Sequence, residues 1–319
     1  MPSNPPRSPE PSALQRAAAN ALQSRSVKVE RLDGYLFRTY RLTTGKGFFY
    51  ILRCRPSHSV RLLRHEEDRL ETEASALQLL NTRIEGFSAR LIEYHSTTIP
   101  IGSRYLISGP FGGAVLADVE SSLSRQAFAN TDRSLGQYVR GISAVTGTTF
   151  GPIRQAPGIG SQSWARVFAS MLESIMRDGE DALLNLPYDS MRDMVRRHRV
   201  SLDQITQPRL VLLELSADEN VVVDVKNNRV TGLLDYSTAL WGDPYLSDCW
   251  YKPTASFAEG FGKLPNGDAD ERIRQYLYVL YHSLLAVVRH SYRPSEDSDD
   301  LDARRDLTTA IRQLTALVR

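Results

Sequence analysis

The segment from Asn220 to Asp235 constrains the architecture more than any other stretch of this 319-residue chain. Two aliphatic and β-branched runs, Val221-Val222-Val223 and Val230-Thr231-Gly232-Leu233-Leu234, flank Asn227-Asn228. Asparagine tolerates the positive φ of a two-residue hairpin turn. A turn centred there sets Asn220 directly opposite Asp235 at the open end of an antiparallel hairpin, with Cβ atoms about 4.5–5.5 Å apart. A carboxylate and a carboxamide oxygen at that separation suit a hard, oxygen-seeking cation such as Mg²⁺.

The surroundings of this hairpin read as an α+β chain in two lobes. Residues 1–13 carry Pro2, Pro5, Pro6, Pro9 and Pro11 among polar residues and predict a disordered tail. From about 26 to 57 the texture is strand-like, in Val27-Lys28-Val29, Tyr35-Leu36-Phe37 and Phe48–Leu52, separated by Gly34 and Gly45-Lys46-Gly47. A helix is predicted over about 66–81, with Glu66, Glu67 and Asp68 in its first turn. Strand-like Arg104–Ser108 then meets the breaker Gly109-Pro110. Helical patterning dominates 118–200 and everything after 256, with strands around 210–236. The expected division is an N-lobe over 14–108 and a C-lobe over 109–319, with a ligand site between them.

Composition excludes several classes. There are 39 Lys and Arg against 37 Asp and Glu, a net charge of +2, which supplies no field for nucleic acid or an anionic membrane. Two cysteines are too few for a disulfide scaffold or a cysteine-only zinc site, and the six histidines show no metal-ligand spacing. No run approaches the roughly 18 apolar residues of a membrane span, and the first residues lack the order of a signal peptide. The expectation is a cytoplasmic protein that binds neither nucleic acid nor membrane.

Within the first lobe, Leu70, Glu73, Leu77 and Leu80 recur at helical spacing, which turns a carboxylate toward an apolar seam. An inward carboxylate needs a cation or strong donors, and Arg53 on the preceding strand is the natural partner.

The run from Pro208 to Asp224, with Gly232-Leu233-Leu234-Asp235-Tyr236 and Trp241-Gly242-Asp243-Pro244, resembles the aminoglycoside phosphotransferase and choline kinase-like family. In that family the loop reads H-G-D-L-x-P-x-N followed by three hydrophobics and Asp, then hydrophobic-I-D-[WF] and G-D-P. Phe49–Arg53 resembles the strand bearing the phosphate-contacting cation, Thr72–Leu80 the helix whose Glu pairs with it, and Tyr105–Pro110 the hinge. The resemblance implies a protein-kinase-like fold and an ATP- and Mg²⁺-dependent phosphotransferase. Arg53 would then contact phosphates, oriented by Glu73, while Asn220 and Asp235 hold Mg²⁺. Gly34 would lie over the nucleotide, with Ser108–Pro110 meeting the adenine through backbone groups. Seven residues separate Asp235 from Asp243, too few to dock a peptide, so the implied acceptor is a hydroxyl of a small molecule.

Three positions depart from the family pattern. Arg53 stands where Lys is usual, and the two cations are not geometrically interchangeable. Only one glycine, Gly34, marks the phosphate-covering loop. Counting back from Asn220 puts Leu215 at the catalytic Asp, and leucine cannot orient an acceptor alcohol. One extra loop residue would instead put Glu214 there, and loops tolerate such insertions. The first register implies a pseudokinase with a binding or scaffold role; the second implies a working enzyme with Glu214 as the catalytic carboxylate.

Overall fold

A computed structural model of the chain describes residues 10–45, 47–57, 59–99, 101–154, 160–215, 218–262, 267–294 and 300–317. The first lobe contains α1 (Pro11–Ala21), β1 (Lys28–Leu32), β2 (Arg38–Thr43), β3 (Phe49–Cys54), α2 (Arg69–Arg83), β4 (Arg90–His95) and β5 (Tyr105–Phe111). The strands form one antiparallel sheet in the order β1-β2-β3-β5-β4.

Alternation along β3 determines what each face of that sheet does. Tyr50, Leu52 and Cys54 face α1 and pack with Leu14, Ala17 and Ala18. Phe49 and Ile51 face α2 and pack with Leu70, Ala74 and Leu77. The two-residue period of a strand places Arg53 on that second face as well.

After β5 a linker starting at Gly112 continues through β6 (Ala114–Val115) and α3 (Leu116–Val119) into the helical lobe. There follow α4 (Arg125–Ser143), β7 (Gly151–Pro152), α5 (Trp164–Asp181), α6 (Tyr188–Arg197), α7 (Arg199–Asp203), β8 (Arg209–Leu212), β9 (Val221–Asp224), β10 (Arg229–Leu233), β11 (Ala239–Gly242), α8 (Ala255–Phe261), α9 (Ala269–Tyr292) and α10 (Asp300–Ala316). Two three-stranded sheets, β10-β9-β6 and β7-β11-β8, lie in this lobe. At Gly113 (φ +121) a Cβ would stand 2.2 Å from the Val223 carbonyl oxygen, so only glycine lets the linker cross β9 here. The core of the helical lobe gathers Trp164, Phe168 and Leu172 with Leu277, Leu284 and Leu314.

The structure corrects several expectations. Residues 1–9 of the expected tail lie outside the described residues, and Pro11–Ala13 begin α1, where proline's fixed φ suits the first turn. Tyr35-Leu36-Phe37 is not a strand; the ladder starts at Arg38, because Gly34 turns the chain at φ +86. Glu66 precedes α2 in a short 3₁₀ turn and is buried. β5 runs three residues past the expected lobe boundary, since Gly109 still faces Arg90 and Phe111 faces Phe49.

The hairpin register also differs. Arg229 faces Asp224, so the turn has four residues, and only Asn228 takes a positive φ (51°). Asp224 accepts the Lys226 N–H at 3.0 Å and stabilises that wider turn. A bulge at Thr231, whose hydroxyl donates to the Gly112 carbonyl, shifts the ladder again. Asn220 therefore meets Leu234 through the backbone, by an N–H···O bond of 2.8 Å, rather than facing Asp235.

Candidate active site

Between the lobes lies a cavity of about 710 Å³ whose walls include Gly34, Tyr35, Arg53, Glu214, Asn220 and Asp235. Six residues singled out from sequence thus either line it or, for Glu73, stand directly behind it.

Its innermost element is the pairing of β3 with α2. Arg53 Nη1 donates to Glu73 Oε1, and the side chains are 2 % and 0 % exposed. The same Nη1 lies 3.7 Å from Asp235 Oδ1. Burial raises the Glu73 carboxyl above its usual range; Arg53 opposes the rise and Asp235 adds to it. Among the described residues, Arg53 Nη2 and Glu73 Oε2 are buried without a hydrogen-bond partner. An unspent buried guanidinium donor is a costly feature unless a ligand oxygen meets it.

Asn220 and Asp235 are adjacent through a different contact from the one expected. The Asp235 N–H donates to Asn220 Oδ1 at 2.7 Å, and Asp235 Oδ1 accepts the Ser237 N–H at 2.7 Å. A carboxamide oxygen retains a second lone pair after one such bond, so the pair still presents two oxygen-bearing groups on one wall. Among the described residues, no three His, Cys, Asp or Glu side chains cluster as a metal-ligand set.

The roof is the loop between β1 and β2. Tyr35 reaches across the cleft and donates its hydroxyl to the Glu219 carbonyl oxygen at 2.8 Å. Its ring stands 6.0 Å from the Arg53 guanidinium carbon.

Glu214 sits on the opposite wall. Its Oε1 accepts Arg69 Nη2 at 2.8 Å and Arg289 Nη2 at 2.6 Å, joining the start of α2 to the end of α9. Burial pushes this carboxyl up, but the two guanidiniums outweigh that and hold it well below the usual carboxylate range. Leu215 is buried, and its N–H donates to Asp248 Oδ1 at 2.7 Å. Asp243 is structural: it is buried and accepts the Tyr278 hydroxyl at 2.7 Å.

Ser108 and Pro110 are not brought into this cavity. Ser108 is fully buried in mid-sheet, facing Ile51 of β3 on one side and Leu91 of β4 on the other. Pro110 lies further along the same strand, so the chain leaves the sheet only at Gly112-Gly113.

Sequence reasoning missed Tyr35, Glu66, Arg69, Arg289 and Arg293. Arg293 holds the buried Glu66 through both oxygens, at 2.6 and 2.9 Å. The available signals were spacings: Arg69 lies four residues before Glu73, and Arg289 four before Arg293, so each pair shares a helical face.

A helix-bearing antiparallel lobe over a helical lobe, with a buried Arg–Glu pair facing an Asn and an Asp across the cleft, is a protein-kinase-like fold. The model of the phosphotransferase enzyme family matches residues 28–276, and the chain belongs to that family. No curated protein matches it. Among solved structures, the chain resembles a thermostable mutant of aminoglycoside phosphotransferase APH(4)-Ia in complex with ADP and hygromycin B. The TM-score is 0.60 at 16% identity, over 96% of this chain and 98% of that one. A protein of Thermobifida fusca YX-ER1, provisionally assigned as a fructosamine-3-kinase, gives 0.63 at 12% identity over 95% and 98%. Macrolide 2′-phosphotransferase MphH from Brachybacterium faecium gives 0.51 at 19% identity over 94% and 98%.

Proposed function

We propose that this protein transfers a phosphoryl group from ATP to a hydroxyl of a small molecule. The observation that carries the reading is the buried Arg53–Glu73 pair, with Arg53 3.7 Å from Asp235 at the wall of the cavity. Phosphoryl transfer depends mainly on positioning and charge stabilisation, which such a wall supplies. In this reading the unspent Arg53 donor meets a phosphate oxygen, and Glu73 holds the guanidinium in place. Asn220 and Asp235 hold Mg²⁺, which would neutralise developing phosphate charge. Gly34 and Tyr35 cover the nucleotide, and Glu214 orients the acceptor hydroxyl. The structural neighbours support nucleotide use, since one was solved with ADP and another with GDP.

A second reading has its own observation. Glu214 is already clamped by Arg69 and Arg289, and Leu215 points into the core. A carboxylate so engaged is a weak proton acceptor, which favours a pseudokinase that binds without turnover.

One experiment separates these readings. Thermal stability is measured with ATP or GTP, with and without Mg²⁺, in the wild type and in Asp235→Ala, alongside phosphotransfer to an acceptor panel. A ligand at about 100 times its Kd adds roughly 2.7 kcal/mol, which a melting shift reports. Mg²⁺-dependent stabilisation that is lost in Asp235→Ala, together with transfer, supports the enzyme. Stabilisation without transfer to any acceptor supports the second reading, and no stabilisation by either nucleotide removes the nucleotide site.

A further inference from the structure

The candidate cavity has two ends of opposite character. Glu219, Asn220 and Asp235 stand at one; Arg69, Arg289 and Arg293 stand at the other, with Glu66 and Glu214. The second end holds three guanidiniums against two carboxylates, with a third carboxylate, Asp248, beside Glu214 and accepting the Leu215 N–H at 2.7 Å. Through Arg69 and Glu214 it adjoins a further cavity of about 580 Å³, whose lining adds Arg64, His65 and Arg154 and the hydroxyls of Ser170, Ser174 and Thr238.

Glu66 and Glu214 are already paired with guanidiniums, and Glu214 Oε2 keeps only a long contact of 3.4 Å from Arg69 Nη1. Glu214 Oε1 takes both Arg69 and Arg289, and Glu66 takes Arg293 through both oxygens and the Leu63 N–H at 2.8 Å. Donors are left over. Arg69 is 7% exposed, and its Nε has no hydrogen-bond partner among the described residues. Arg154 is exposed and makes no ion pair with a described residue. Asp68, exposed at the rim of the further cavity, is the one carboxylate there that pairs with no described residue. A cationic ligand needs free carboxylate oxygens, and like charges brought together at a contact cost several kcal/mol. A ligand carboxylate or phosphate instead gains charge-assisted hydrogen bonds from guanidiniums already held in place.

We infer that the acceptor is a hydroxylated small molecule bearing an anionic group, a carboxylate or a phosphate, bound by Arg69 and Arg289 beside Glu214. Calling this ligand the acceptor rests on the phosphotransfer reading; the anion site itself does not.

The test titrates inorganic phosphate, citrate and kanamycin separately into the full chain, with and without a non-hydrolysable ATP analogue and Mg²⁺, and reads binding by calorimetry. The wild type is compared with Arg289→Gln and with the charge-preserving Arg289→Lys. The expected result is binding of phosphate or citrate that persists with the analogue present. Arg289→Gln weakens it about tenfold or more, the loss of one charge-assisted hydrogen bond, and Arg289→Lys largely restores it. Phosphate binding alone assigns the group as a phosphate, and citrate binding alone as a carboxylate. Anion binding that the analogue displaces, binding indifferent to Arg289, or kanamycin binding tighter than either anion overturns the inference. The analogue arm keeps the two readings apart: anion binding without nucleotide binding defeats phosphotransfer alone, and the reverse defeats only the anion site. If Arg289→Gln does not fold, the wild-type competition arm and Arg289→Lys still decide the outcome.

Discussion

The hydroxyl of Tyr35 donates to the backbone oxygen of Glu219, 184 residues further along the chain, and so ties the roof of the cavity to the segment that leads into Asn220. Burial raises the Tyr35 hydroxyl above its usual range, so it remains a donor through neutral pH. Tyr35→Phe keeps the ring beside Arg53 and removes only this strap. Nucleotide release is expected to quicken about fivefold, the equivalent of a hydrogen bond worth about 1 kcal/mol. Stopped-flow displacement of a fluorescent nucleotide measures it, and an unchanged release rate would mean that the strap does not govern access.

The Arg53–Glu73 pair is a site feature more than a stabilising one. Removing one partner leaves a buried charge uncompensated, so Glu73→Ala is expected to lower stability by about 3–5 kcal/mol. Replacing both, as Arg53→Met with Glu73→Leu, should recover most of that loss, because apolar side chains of similar volume bury without a desolvation penalty. Nucleotide binding should be lost in both variants. Urea unfolding and nucleotide titration check the two halves, and a double variant no more stable than the single one would contradict this account.

Glu214 should leave a signature in acid. Its folded pKa lies below the ordinary 4.5, so its clamp contributes fully above that pH and is lost as pH falls further. Wild type is expected to exceed Glu214→Gln by about 2 kcal/mol at pH 7, allowing for partial exposure, and the difference should start to narrow only as pH falls below about 4.5. If Glu214 also orients the acceptor, kcat falls by about 100-fold. Urea midpoints between pH 3 and 7 give the first result and steady-state kinetics the second.

His65 predicts a second, separate pH dependence. Burial, reinforced by Arg69, lowers it from 6.5 to about 4, and neither ring nitrogen has a hydrogen-bond partner among the described residues. The unfolded chain therefore takes up this proton first, and stability falls between pH 6.5 and 4, by up to about 3 kcal/mol. His65→Phe should flatten that part of the profile while leaving the Glu214 step below it. A variant whose profile matches the wild type would show that His65 titrates normally.

Much of the site was legible because its determinants are local. The spacing of Leu70, Glu73, Leu77 and Leu80 already turned a carboxylate inward, and all four are buried. The alternation of Phe49, Ile51 and Arg53 placed a cation on the face that this helix covers. Where the reading went astray, a longer-range contact had intervened. The Thr231 bulge depends on the Gly112 carbonyl more than a hundred residues away, and the Ser108 side chain is buried because β3 and β4 both pair with its strand.

The sequence by itself determined the two-lobed order of elements, the inward Glu73, its Arg53 partner, and the nearness of Asn220 to Asp235, since periodicity and turn chemistry act between close neighbours in the chain. Only the tertiary structure decided what becomes of Glu214. Its two cations come from positions 69 and 289, far apart in the chain, and both reach the same carboxylate oxygen. Coulomb energy depends on distance in space, not in sequence. The family pattern therefore leaves Leu215 and Glu214 as two registers of the loop, while the folded chain sets how tightly the Glu214 carboxylate is held and which charge its neighbours favour.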